Sequence, residues 1–134
     1  MYQDVLLQCS KDSRFKVAVL EAAGVARRNP ACGDEIELLV SRDDAGGLAV
    51  RYRAQACAVT LASAAIMAEA VEGLTLEAAG ERLREARAYF ESNADWAGSW
   101  CANEMRALGE VRAFPMRMAC VRLPWEALEE GLGG

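Results

Sequence analysis

The chain has 134 residues, 53% apolar and 26% charged, with a formal net charge of −5. This is ordinary globular usage for one domain, and the acidic balance argues against nucleic acid or an anionic membrane as partner, since both select clustered Lys and Arg. No stretch approaches the roughly 18 apolar residues of a membrane span and the N-terminus does not read as a secretion signal, so the expectation is a cytoplasmic protein with reduced thiols.

Residues 1–9 carry Val5, Leu6 and Cys9 with Tyr2 one turn earlier, which predicts a short amphipathic helix. "EAAGVAR" (21–27) predicts a first strand. "DEIELLVS" (34–41) alternates Ile36, Leu38 and Val40 against Glu35, Glu37 and Leu39, the pattern of a half-buried strand. "RDDAGG" (42–47) is a turn by composition, with Gly46 and Gly47 free to take positive φ. "LAVRYRA" (48–54) then returns as an antiparallel partner.

The remainder reads as helical. "VTLASAAIMAEAVEG" (59–73) is an alanine-rich helix stopped by Gly73. Thr75 caps a second, in which Leu76, Ala79, Leu83, Ala86 and Phe90 recur at helical spacing. Residues 91–99 form a loop, 100–111 a short helix, and 114–131 a last helix with Pro115 in its first turn. Pro124 cannot donate to the carbonyl of Cys120, which predicts a kink or break there, and the terminal "EEGLGG" is expected to fray. Strands first and helices later give an α+β fold, a small antiparallel three-stranded sheet packed against several α-helices.

Five cysteines, at 9, 32, 57, 101 and 120, are odd in number and scattered, a poor disulfide framework. Any one of them taken alone is best read as a small buried hydrophobe. Cys32 and Asp34 stand apart, because residues i and i+2 of an extended segment point to one side. Cys57 ends the returning strand just before a helix, whose N-terminal dipole favours a thiolate. A hairpin can bring it alongside Cys32. Spacing alone gives half a metal site.

Three blocks then occur in order: "NPACGDEIEL", "ACAVTLASAAIMAEAVEG" and "FPMRMACVRLPWEALEEG". Together they resemble the U-type iron–sulfur assembly proteins, the IscU, NifU N-terminal and SufU group. The long interval between Cys57 and Cys120 and the F-P-x-R-x-x-C block look like the SufU branch. The resemblance implies a SufE/NifU-like fold, one such domain over residues 1–134, and one metal held by Cys32, Asp34, Cys57 and Cys120. Two departures stand out. Ala119 occupies the position that is histidine in the IscU branch, and the chain contains no histidine, so a His-containing cluster site is excluded. The N-terminal "LQCSKDSRF" also departs from the family's D-H-Y-x-x-P-R-N pattern.

Three thiolates and one carboxylate suit tetrahedral Zn²⁺. The occupied site would still be negative, and Arg117, one turn before Cys120, either offsets part of that charge or is a solvated surface residue. Cys9 and Cys101 read as packing residues, and Met105, Met116 and Met118 as core filler.

By resemblance the protein serves iron–sulfur cluster biogenesis. Its expected partners are a pyridoxal-phosphate-dependent cysteine desulfurase, as sulfur donor, and iron–sulfur recipient or carrier proteins. The leading expectation is a zinc-bound sulfur acceptor with a sulfurtransferase role, in which Cys32, carried on a loop, takes the persulfide. The alternative is a scaffold on which a transient [2Fe–2S] cluster is assembled and passed on. A third reading keeps the zinc structural and makes the protein a binding module. Asp34, the hard donor in a soft set, is expected to keep the metal exchangeable.

Overall fold

A computed structural model describes residues 2–133. Met1, Gly134 and the side chain of Tyr2 lie outside the described residues, and with them the expected contribution of Tyr2 and the last residue of the expected frayed end. Helix α1 spans Tyr2–Ser10. The strands are β1 (Val25–Asn29), β2 (Asp34–Arg42) and β3 (Leu48–Gln55), followed by α2 (Ala58–Val71), α3 (Leu76–Phe90), α4 (Ala102–Glu110), a 3-10 turn (Val111–Ala113) and α5 (Pro115–Gly131). The sheet is antiparallel in the order β1-β2-β3, so the fold is α+β as expected.

The alternation in β2 and β3 becomes packing through the register. Leu38 lies opposite Tyr52 and Val40 opposite Val50, which gathers the apolar side chains on one face. That face meets α2 and α5. Helix α2 is alanine-rich because neighbours close on it from almost every side, and Ala62, Ala64, Ala65, Ala68 and Ala70 are all buried. Beside it Tyr89, Phe90, Trp96, Trp100 and Trp125 form a chain of edge-on and tilted ring contacts.

Gly73 takes φ +79 just past α2, and the Thr75 hydroxyl accepts from the Ala78 N–H at 3.1 Å, so the two helices stop and start where these residues direct. Gly46 has φ +86, but Gly47 is not in that region. Gly47 is needed for closeness instead, since a Cβ there would lie 2.9 Å from the Gly73 carbonyl oxygen.

Several expectations are corrected. The first strand begins at Val25, later than "EAAGVAR" implies, because Gly24 passes so near β2 that a Cβ would stand 2.3 Å from the Leu38 carbonyl oxygen. It also runs on to Asn29, opposite Asp34. Helix α5 is not broken at Pro124 but continues to Gly131. Its last turns are held rather than frayed: Arg27 reaches Glu130 at 3.3 Å, Arg87 pairs with Glu129, and Gly131 packs on Val40. Met105 and Met118 are core residues, whereas Met116 is 83% exposed on the first turn of α5.

One element had no sequence signal. Phe15–Val17 runs beside β3, with the Val17 N–H donating to Tyr52 O at 2.8 Å and the Tyr52 N–H to Phe15 O at 3.0 Å. It covers part of an edge that would otherwise present unpaired backbone groups. Among the described residues, no helix is long and apolar enough to cross a membrane.

Candidate metal centre

The site forms where the β1–β2 hairpin meets the starts of α2 and the middle of α5. Asn29 builds the hairpin: its buried side-chain oxygen accepts from the Ala31 N–H at 3.1 Å, and its carbonyl accepts from Gly33 N at 2.8 Å. Gly33 completes the turn with φ +74, where a glycine is favoured. The loop lifts Cys32 into solvent and returns the chain so that Asp34, the first residue of β2, points inward and is only 5% exposed.

Cys57 is the N-cap residue of α2 and is half-buried. Cys120 lies in α5 and is buried. The Cys32 and Cys120 sulfurs are 3.8 Å apart, and the donor atoms of Cys32, Asp34 and Cys120 lie within 4.8 Å of one another. Cys57 is beside this trio rather than within it. Its sulfur stands 3.5 Å from Thr60 Oγ1.

Asp34 is secured at both oxygens. The Cys57 N–H donates to Oδ1 at 3.1 Å, and the Thr60 hydroxyl to Oδ2 at 2.6 Å. Burial works to raise the Asp34 carboxyl, but hydrogen bonds from Thr60, Cys32 and Cys57 outweigh it and hold the group below the usual carboxylate range. Burial pushes the Cys120 thiol up to about 12, against a lowering contact with Thr60 and with the neighbouring thiols adding to the rise.

The donor chemistry fits zinc. Two thiolates on one tetrahedral Zn²⁺, at Zn–S of about 2.3 Å, stand about 3.8 Å from each other, and the Cys32–Cys120 separation of 3.8 Å already matches. Thiolates and a carboxylate, with neither histidine nor a wide oxygen shell, disfavour Ca²⁺ and Mg²⁺.

The other singled-out residues fall elsewhere. Arg117 is exposed, and its guanidinium makes no ion pair among the described residues. Cys9 and Cys101 pack partly buried against the core. Burial, with help from Glu69 and Glu104, raises Cys9 to about 11 and Cys101 to about 12, which keeps both as neutral thiols. Sequence reasoning missed Thr60 and Asn29. Thr60 sits three residues after Cys57, a spacing that puts a hydroxyl on the same helix face, and Asn29 precedes Pro30 in a pattern that favours an Asx turn.

The family model described as NifU-like N terminal domain matches residues 1–91, two of the three cysteine blocks. The zinc-dependent sulfurtransferase SufU of Bacillus subtilis is 28% identical over 98% of this chain and 89% of its own length. The iron–sulfur cluster assembly scaffold protein IscU of Thermotoga maritima is 24% identical over 98% of this chain and 92% of its own. Among solved structures, one from Fervidobacterium islandicum, described as an iron–sulfur cluster assembly scaffold protein for the SUF system, superposes with a TM-score of 0.80 at 26% identity, covering 96% of this chain and 94% of that one. A NifU-like N-terminal protein from Brucella abortus shares the fold, with a TM-score of 0.78 at 20% identity over 98% and 91% of the two chains.

Proposed function

The chain belongs to the NifU-like N-terminal family, and from that premise we propose that it acts in iron–sulfur cluster biogenesis as a zinc-bound sulfur acceptor for a cysteine desulfurase. Residues 1–134 act as one domain in the cytoplasm, and Cys32, Asp34, Cys57 and Cys120 hold one zinc ion. Bound zinc would supply the charge that keeps these thiols deprotonated and gathered at neutral pH.

One observation carries the reading. Cys32 is exposed on a hairpin loop, yet its sulfur stands 3.8 Å from the buried sulfur of Cys120 and beside Asp34. A thiol in that position can meet an incoming donor without unfolding the site around it. Cys120 is 3% exposed and anchored in α5, and Cys57 is fixed at the head of α2.

The transfer balances as a thiol–persulfide exchange. The Cys32 thiolate attacks the outer sulfur of the persulfide on a pyridoxal-phosphate-dependent desulfurase. A new S–S bond forms at Cys32, the donor's S–S bond breaks, and the donor cysteine leaves as a thiolate. Cys32 then carries the sulfur to an iron–sulfur recipient or carrier protein.

The test is to incubate the zinc-loaded chain with a cysteine desulfurase and L-cysteine and to map the added sulfur by mass spectrometry. It is expected on Cys32, with about one zinc per chain in the starting protein and loss of that zinc in Cys57→Ser. Sulfur found mainly on Cys120 would reverse the assignment. Iron and sulfide in place of zinc after anaerobic purification would favour the scaffold reading instead.

A further inference from the structure

Thr60 is fully buried on the first turn of α2 and stands against two of the four candidate ligands, Asp34 and Cys57. Its Oγ1 donates to Asp34 Oδ2 at 2.6 Å and stands 3.5 Å from the Cys57 sulfur. We propose that Thr60 is a positioning residue that sets how readily Asp34 lets go of the metal, by offering the departing carboxylate a buried hydrogen bond. This rests on the zinc reading above and deepens it.

A hydroxyl can donate one hydrogen bond and accept others. Toward the Cys57 thiol Thr60 can accept, while its single proton goes to Asp34. A carboxylate leaving a metal inside a protein would ordinarily need water. Asp34 is 5% exposed, and both its oxygens have partners within the protein. Two are in place, the Cys57 N–H on Oδ1 and the Thr60 hydroxyl on Oδ2, and no buried side-chain oxygen or nitrogen among the described residues lacks a partner. The resting place of the carboxylate is therefore already built. Leaving one charged acceptor unmet slows its departure, and the usual cost of an unsatisfied buried group corresponds to about ten-fold in rate.

The opposite sign is the ordinary role of a residue behind a metal ligand. There the hydrogen bond only orients the carboxylate, and its removal weakens the metal and speeds release. The two roles separate in one experiment. Zinc transfer from the loaded protein to a chromogenic chelator is timed for wild type, Thr60→Val, Thr60→Ser and Thr60→Ala. Valine keeps the shape and loses the hydroxyl, serine keeps the hydroxyl, and alanine stands in for valine if that variant does not fold.

The expected result is transfer about ten-fold slower in Thr60→Val or Thr60→Ala, and near the wild-type rate in Thr60→Ser. In an Asp34→Ala background, Thr60→Val should add no further slowing, since the hydroxyl acts through that carboxylate. Equal or faster transfer from the hydroxyl-free variants, with one zinc still bound, overturns the role of Thr60 and leaves the zinc reading standing. Wild-type protein that binds no zinc overturns the zinc reading itself.

Discussion

The Ser63 hydroxyl donates to the backbone carbonyl of Val121 at 2.6 Å, joining α2 to α5 in the core. The same oxygen accepts from Trp125 Nε1 at 3.0 Å, so one serine serves both a carbonyl and an indole. Pro124 lies between those two partners. It deprives the Cys120 carbonyl of its helical donor and disturbs the turn that includes Val121. A side-chain donor from α2 thus meets the helix one residue beyond the carbonyl that Pro124 leaves without its donor, and α5 runs on to Gly131.

Ser63→Ala should therefore lower stability by roughly 1–3 kcal/mol, since it leaves the buried Trp125 indole N–H without its acceptor. Urea unfolding of the zinc-loaded variant measures this. A midpoint equal to wild type would mean that the Ser63 link is dispensable.

Gly109 offers a second stability test with an unusual sign. Glycine to alanine within a helix ordinarily helps by up to about 1 kcal/mol. Here a Cβ would fall 1.9 Å from the Tyr89 hydroxyl oxygen and 2.6 Å from the ring carbon bearing it. Tyr89 is wedged against Phe90 and Trp96, so the ring has little room to retreat. Gly109→Ala should destabilise by about 1–3 kcal/mol. Thermal melting that rises instead would show that the ring does yield.

The legible parts of the fold were those in which local pattern and tertiary burial agree. Ile36, Leu38, Val50 and Tyr52 alternate because one face of the sheet is buried, and the break from Gly73 to Thr75 was readable because both residues act locally. Pro124 does not end the helix, and the Ser63 bonds on either side of it come from 62 residues before Trp125 and 58 before Val121, beyond the reach of local pattern. Met116 shows apolar character without periodic support, and it faces solvent. In the site, Cys32 and Asp34 could be paired from their i, i+2 spacing. The offset of the Cys57 sulfur toward Thr60 could not, because it depends on how α2 docks against β2.

The closeness of Cys32 and Cys120 has a consequence for the metal-free chain. Their sulfurs are 3.8 Å apart, and a modest shift brings them to the bond length of about 2.05 Å. With diamide as oxidant, the exposed Cys32 should react first, and Cys120 should then displace the adduct. Two thiols lose two protons and two electrons, and the diazene is reduced to the hydrazine. Peptide mapping without reductant is expected to find Cys32 joined to Cys120, with Cys9 and Cys101 unmodified. Zinc loading should suppress the cross-link. A Cys32–Cys57 bond in its place would mean that the Cys57 sulfur approaches Cys32 more readily than the static geometry implies.

Asp34 gives the most direct test of metal exchange. It is the hard donor among soft ones, and a carboxylate exchanges from a thiolate-rich site more readily than a thiolate does. Its two oxygens already have alternative partners in the Cys57 N–H and the Thr60 hydroxyl, so dissociation does not strand a buried charge. Asp34→Ala removes this first step but leaves three cysteines. Zinc should still bind, its transfer to a chromogenic chelator should be slower than in wild type, and sulfur uptake from the desulfurase should fall in parallel. The competing effect is electrostatic: the carboxylate contributes one of four negative charges, and losing it weakens the hold on a cation. That effect has the opposite sign, because a weaker hold releases zinc faster. Slower transfer at unchanged stoichiometry would establish the carboxylate as the exchange point. Markedly faster transfer would make Asp34 an affinity ligand and remove the basis for an exchangeable centre.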